Sequence, residues 1–194
     1  SEAGHTKNTS NLHDLIAFCQ TYGTTYNPTK ADLKVVNLII LETAANDKLA
    51  AVIPLRTEYN DAVNARIQAF DGLKALSTRI VNALQATEAT KEKVADAKTF
   101  NKKIQGGRPK KQQPRVELTT PVPTTISSSQ QSYDQIIQHF AGLISVLESE
   151  PSYNPNENDL KVTTLNAKLQ SMTQANANIS TAYTNVDNKR IERD

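Results

Sequence analysis

The sequence predicts an all-α protein, an antiparallel helical bundle built from two repeated helical-hairpin units. Three observations carry this reading. An eleven-residue phrase occurs twice, TYNPTKADLKV at 25–35 and SYNPNENDLKV at 152–162. Each copy is followed by a long run of apolar residues at helical spacing. The composition, with six Gly and no Trp against abundant Ala, Leu, Lys, Gln and Asn, favours helix over sheet. A chain of 194 residues is long enough to bury a core, and with four Phe and six Tyr that core must be mostly aliphatic.

The first ten residues, SEAGHTKNTS, are polar and lack the apolar stretch of a secretion signal. Ser1 fits a chain from which Met has been removed. No run approaches the ~18 apolar residues of a membrane span, so the expected localisation is cytoplasmic. The first short helix is DLIAFCQTYG, residues 14–23, stopped at Gly23. Cys19 lies among its apolar residues and reads as a small buried hydrophobe. As the single cysteine it excludes an intrachain disulfide and a Cys-based zinc site.

In the first copy of the phrase, Asn27-Pro28 reads as the N-cap and first position of a long helix, with Asp32 in its first turn. The stripe that follows runs through Leu38, Leu41, Ala45, Leu49, Val52, Tyr59, Val63, Ile67 and Phe70. Pro54 costs that helix about 3 kcal/mol, and because the stripe resumes in phase it predicts a kink instead of a break. LSTRIVNALQATEATKEKVADAKTFNKKIQGG then predicts one or two further helices, with Ser77 as a cap and Gly106-Gly107 as the stop. Residues 106–129 hold four of the eight prolines among Thr, Ser and Gln, and read as an extended linker.

The second short helix, GLISVLESEP, aligns with the first across a one-residue gap: Leu143 with Leu15, Ile144 with Ile16, Val146 with Phe18. In the second phrase Asn154 and Glu157 form a capping box. Val162, Leu165, Leu169, Met172, Ile179, Tyr183 and Val186 make the second stripe, with Asn176 at an apolar position, where a buried amide fixes register or faces a wet seam. The expected layout is a first helical unit over 1–105, a basic linker over 106–129 and a second unit over 130–194. The second unit stops just after Arg190-Ile191, so the duplication is partial or the chain is cut short.

This layout resembles a bacterial family of uncharacterised function with duplicated YNPxxxxLKVxxL … NxRI helical-hairpin units joined by a basic, Ser/Thr/Pro-rich link. The resemblance is carried by Tyr26-Asn27-Pro28 through Ile67, LSTRIVNAL, DAKTFNKKIQG, and SSSQQSYD through Ile191. It implies a bacterial origin and a duplicated helical fold, and brings no activity with it. Members of that family continue past the second Arg-Ile into another helical stretch, which this sequence lacks.

Among residues that bear chemistry, the basic cluster stands out. Lys102, Lys103, Arg108, Lys110, Lys111 and Arg115 have no acidic residue between them, and without their six charges the net charge of +2 becomes −4. Such a segment suits nucleic acid or another polyanion, although it has no interleaved aromatics to stack bases. Tyr59 with Arg66 and Tyr183 with Arg190 lie two helical turns apart, a pattern for partner or inter-unit contact or for Arg snorkelling over a packed Tyr. His5, His13 and His139 lack metal-pair spacing, and no Glu-x-x-His occurs, which excludes a ferritin-like di-iron site. Gly106-Gly107 is not followed by Lys-Ser/Thr, so no phosphate loop is indicated.

The expected function is a non-enzymatic helical scaffold or protein-interaction protein, with no catalytic residues, metal or cofactor, acting on a protein partner or on copies of itself. The alternative is nucleic-acid or other polyanion binding through residues 102–115. An enzyme or small-ligand carrier with its site inside the bundle is the third reading.

Overall fold

The computed structural model describes residues 2–106 and 131–194. Six α-helices account for most of them, and no strand occurs among the described residues: α1 (Glu2–Thr21), α2 (Val35–Phe70), α3 (Leu73–Gln85), α4 (Lys91–Gln105), α5 (Tyr133–Glu148) and α6 (Val162–Arg193). The all-α class follows the sequence. The linker expected over 106–129 lies, but for Gly106, outside the described residues. The chain forms two compact units, one of residues 1–63 and 178–194, the other of 64–177. Both α2 and α6 contribute to each unit.

The duplicated phrase folds the same way twice, though not as a capped helix start. After Pro28 and Pro155 the chain makes single 3-10 turns, Ala31–Leu33 and Asn158–Leu160. Lys34 and Lys161 are then extended, and their carbonyls accept the first bonds of α2 and α6 from Leu38 and Leu165, both at 3.0 Å. Asn27 and Asn154 therefore do not cap the long helices, and Glu157 forms no capping box. The reason is the phrase's own tyrosine. Tyr26 donates its hydroxyl to the Leu33 carbonyl at 2.7 Å, and Tyr153 donates to Leu160 at 2.9 Å. Each bond closes a loop of eight residues, Tyr26 to Leu33 and Tyr153 to Leu160, that holds the chain out of α-helix until the Val.

The second unit carries the larger core. Phe140, Leu143, Ile144 and Leu147 of α5 meet Ile80 and Leu84 of α3, Ala97 and Ile104 of α4, and Leu165 and Met172 of α6. Fully buried side chains of this kind each contribute about 1.5–3 kcal/mol. The α4–α5 approach is close at Gly142, where a Cβ would lie 2.4 Å from the Phe100 ring. The α3 and α4 helices form an antiparallel pair. Ser77, expected as a cap, sits inside α3 and is fully buried, because its hydroxyl bonds the Lys74 carbonyl at 2.9 Å and Asn101 at 2.8 Å across that pair. Gly72, at φ 69°, supplies the turn into α3. Gly106, at φ 80°, ends α4 as the sequence indicates.

In the first unit α1 begins twelve residues before its apolar stretch. Its sheltered side reads His5, Thr9, Leu12, Ile16 and Cys19, in alternating steps of four and three. The stripe thus extends through a histidine and a threonine, which an apolar pattern does not register. His5 Nε2 lies 3.2 Å from the Asp194 carboxylate and fixes that end. The sheltered side of α2 runs through Leu38, Glu42, Ala45, Leu49 and Val52. Glu42 replaces the expected Leu41, because its carboxylate meets His13 Nδ1 at 2.8 Å across the two helices; Leu41 is turned out to solvent. Pro54 sits within α2 on its exposed side, and the helix runs through it.

Candidate interaction surface

The first unit leaves a band of large apolar side chains outside its core. On α1 and at the residue just after it these are Leu15, Phe18 and Tyr22, at spacings of three and four that place them along one flank. Leu33 stands in the 3-10 turn before α2, and Val36, Ile39, Ile40 and Leu41 in the first turns of α2. Eight of the twelve exposed large hydrophobics among the described residues lie in this α1–α2 region. The buried side of the same helices holds Ile16, Cys19 and Leu38, so α1–α2 is apolar on more than the face it uses internally. A helix exposed to water on that scale marks an interaction surface more often than chance packing.

A groove of about 590 Å³ in the same unit is lined by Thr6, Thr9, Asn46, Ile53, Arg56 and Arg193, among others. The Arg193 guanidinium is committed to Asp194, at 2.9 Å. The groove is an open cleft of mixed amide and aliphatic character.

The residues singled out by the sequence distribute as follows. Tyr59 and Tyr183 meet edge to face in the first unit, ring centroids 6.1 Å apart, so the two tyrosines pair with each other across α2 and α6. Tyr183 is exposed, and the half-buried Ala182 takes the seam position expected of it. Arg66 occupies the seam place expected of Ile67, which is exposed. Its guanidinium lies 4.0 Å over the Tyr133 ring and donates to Asn176 Oδ1 at 3.3 Å. Asn176 in turn donates to the Asp134 carboxylate at 2.7 Å, and Phe70 packs on the other edge of Tyr133 at 4.7 Å. Arg66 is thereby part of a polar and aromatic knot between α2, α5 and α6 in the second unit. Arg190 is half-buried in the last turn of α6, where a cation suits the helix dipole.

Of the basic cluster, Lys102 and Lys103 lie in the last turn of α4, again matched to the dipole. Lys103 is half-buried, with its ammonium 5.7 Å over the Phe100 ring. Arg108, Lys110, Lys111 and Arg115 lie outside the described residues. Among the titrating groups, burial pushes the His139 imidazole below its ordinary value, and nearby Lys103 adds to this; its Nε2 is buried without a hydrogen-bond partner. Burial pushes the Tyr153 hydroxyl up to about 12, with the charges of Glu157 and Asp159 adding to the effect. Asp159 is held below the usual carboxylate range by Arg79, which bonds both its oxygens.

No group of three or more His, Cys, Asp or Glu among the described residues is placed to hold a metal ion. No helix among them is long and apolar enough to cross a membrane. Compared with models of known families, with curated proteins and with solved structures, the chain gives no match.

Proposed function

We propose that this protein is a non-enzymatic helical scaffold that presents a helix face to a protein partner. The observation that carries this reading is the apolar band on α1–α2. Phe18, Tyr22, Ile40 and Leu41 are 56–65% exposed, and leaving that much of each in water forgoes about 1–2 kcal/mol of burial, which a partner recovers on docking.

A photo-crosslinking residue placed at Phe18 tests the proposal in cells of the source organism. A discrete adduct to protein is expected there, and none from the same residue placed at Lys98, on the exposed side of α4. Equal labelling from both positions, or none from Phe18, refutes it.

A second reading, binding of nucleic acid or another polyanion, is favoured by the six cations without an intervening acid in residues 102–115. Fluorescence anisotropy on duplex DNA and RNA at two salt concentrations tests it. Binding that falls steeply with salt and vanishes when all six are changed to Gln supports it; binding indifferent to the six changes rejects it.

A further inference from the structure

The duplicated phrase offers an internal control. The same local fold stands in both units, yet its surroundings differ. In the second unit Leu143 is 0% exposed and Leu160 4%; their counterparts in the first, Leu15 and Leu33, are 51% and 46% exposed. Val146 is half-buried, whereas its counterpart Phe18 is 65% exposed. What covers the second copy is the α3–α4 pair. Helix α4 lies along α5 close enough that Phe100 fills the space above Gly142, and Arg79 of α3 grips Asp159 within the phrase itself. Two helix pairs thus complete a four-helix arrangement. Among the described residues the first unit has no such cover over α1–α2.

The sequence differences between the copies point the same way. On the outward side of α6, Thr163, Asn166 and Ala167 face water. The first copy writes Val36, Ile39 and Ile40 at those three places. The uncovered copy is therefore the more apolar one, the reverse of what a solvent-facing hairpin requires.

We infer that the α1–α2 face is a self-association surface, on which a second copy of this chain seats its own α1–α2 pair. This rests on the reading of that face as an interaction surface. The cover needed is a helix pair with an unspent apolar stripe. The α3–α4 stripe is already used, with Ile80, Leu84, Ala97 and Ile104 at most 1% exposed. The α1–α2 region holds most of the exposed large aliphatic side chains among the described residues, and like on like is the two-fold solution.

The size suits a dimer. Leu15, Phe18, Tyr22, Leu33, Ile40 and Leu41 offer on the order of 600 Å² of apolar side-chain surface per copy. At the usual apolar share this corresponds to an interface of about 1,000 Å² per partner, the range of stable complexes. The region carries both signs, with Lys30 3.6 Å from Asp32 and Asp14 and Lys34 also exposed, so pairing does not oppose charges of one sign.

Sedimentation velocity of the full chain from about 1 to about 200 µM, a span that covers micromolar dimers, decides the matter. The mass is expected to double with concentration. The double variant F18D/L41K, both at exposed positions, is expected to weaken dimerisation at least tenfold while leaving the far-UV circular dichroism unchanged. A chain that stays monomeric throughout overturns the inference, as does a dimer that survives F18D/L41K. A monomer that still yields a Phe18 photo-adduct to another protein overturns the second copy as occupant and leaves the scaffold reading standing. A monomer that yields no adduct removes both.

Discussion

Removing one hydroxyl from each copy of the phrase separates local geometry from its surroundings. Tyr153→Phe and Tyr26→Phe delete the same bond, from a tyrosine to the carbonyl seven residues on. In the second unit both partners are buried, with Tyr153 at 8% and Leu160 at 4% exposure. Phenylalanine refills the ring's volume, so no cavity forms, and the loss is that of a buried carbonyl left without a donor, about 1–3 kcal/mol. In the first unit Leu33 is open to solvent, water replaces the hydroxyl, and the unfolding midpoint should not move. Because the two units need not unfold together, urea melts should be read alongside hydrogen exchange of peptides from 140–172. With a urea slope of about 1–3 kcal/mol per molar, Y153F is expected to lower the midpoint of that region by roughly 1 M. Equal losses from the two variants, or a larger loss from Y26F, would show that the surroundings of the bond do not set its worth. The same hydroxyl gives an alkaline signature. Its folded pKa of about 12 lies above the ordinary 10.0, so its contribution is whole below pH 10 and is lost as the pH rises through about 12. Spectrophotometric titration should show a tyrosine ionising near pH 12 that Y153F abolishes.

Phe140→Ala empties the centre of the second unit, where the ring is wholly buried, and should cost about 3–5 kcal/mol in the same urea experiment. His139 predicts an acid-side dependence. Its folded pKa is depressed, chiefly by burial, so the unfolded chain takes up the proton first as the pH falls below about 6.5. Stability is full above that pH and declines below it, and His139→Gln should flatten the decline. Arg66→Met keeps the length of the side chain but removes the donor to Asn176 and the cation over Tyr133. A loss of about 0.5–1.5 kcal/mol is expected from that part-buried bond, read as faster hydrogen exchange in peptides spanning Asp134 and Asn176.

The helical class was legible from spacing alone: Leu165, Met172 and Val186 of the second stripe are buried in α6, and Leu143 and Ile144 of the short segment in α5, although the buried His139 and Phe140 lie ahead of that segment. Where the stripes failed, polar residues had taken seam positions. Glu42 displaced Leu41 through His13, and Arg66 displaced Ile67 through Asn176 and Tyr133. Neither substitution can be read from hydropathy, because each depends on a partner 29 or 110 residues away. Asn176 was visible as an anomaly, and its role required the carboxylate of Asp134. The Asn-Pro pairs misled for a local reason: they satisfy the rules for a helix start, but the tyrosine before each one ties the chain into a different turn. The outward band on α1–α2 was equally hidden, since Leu15 and Phe18 look like core residues until it is known that nothing described lies over them. The alignment of the two copies is the one signal that could have found it, by asking why the first was richer in isoleucine.

The 3-10 turns have a further consequence for how the longest helices come apart. Lys34 and Lys161 stand where a capping side chain belongs, and an ammonium has no acceptor to offer the leading amides. The leading amides of α2 and α6 are consequently tethered less firmly than those of α4 and α5, which Thr90 and Ser132 secure. Fraying should start at Val35 and Val162, so that each phrase acts as a loose hem beside an otherwise tightly stitched rod.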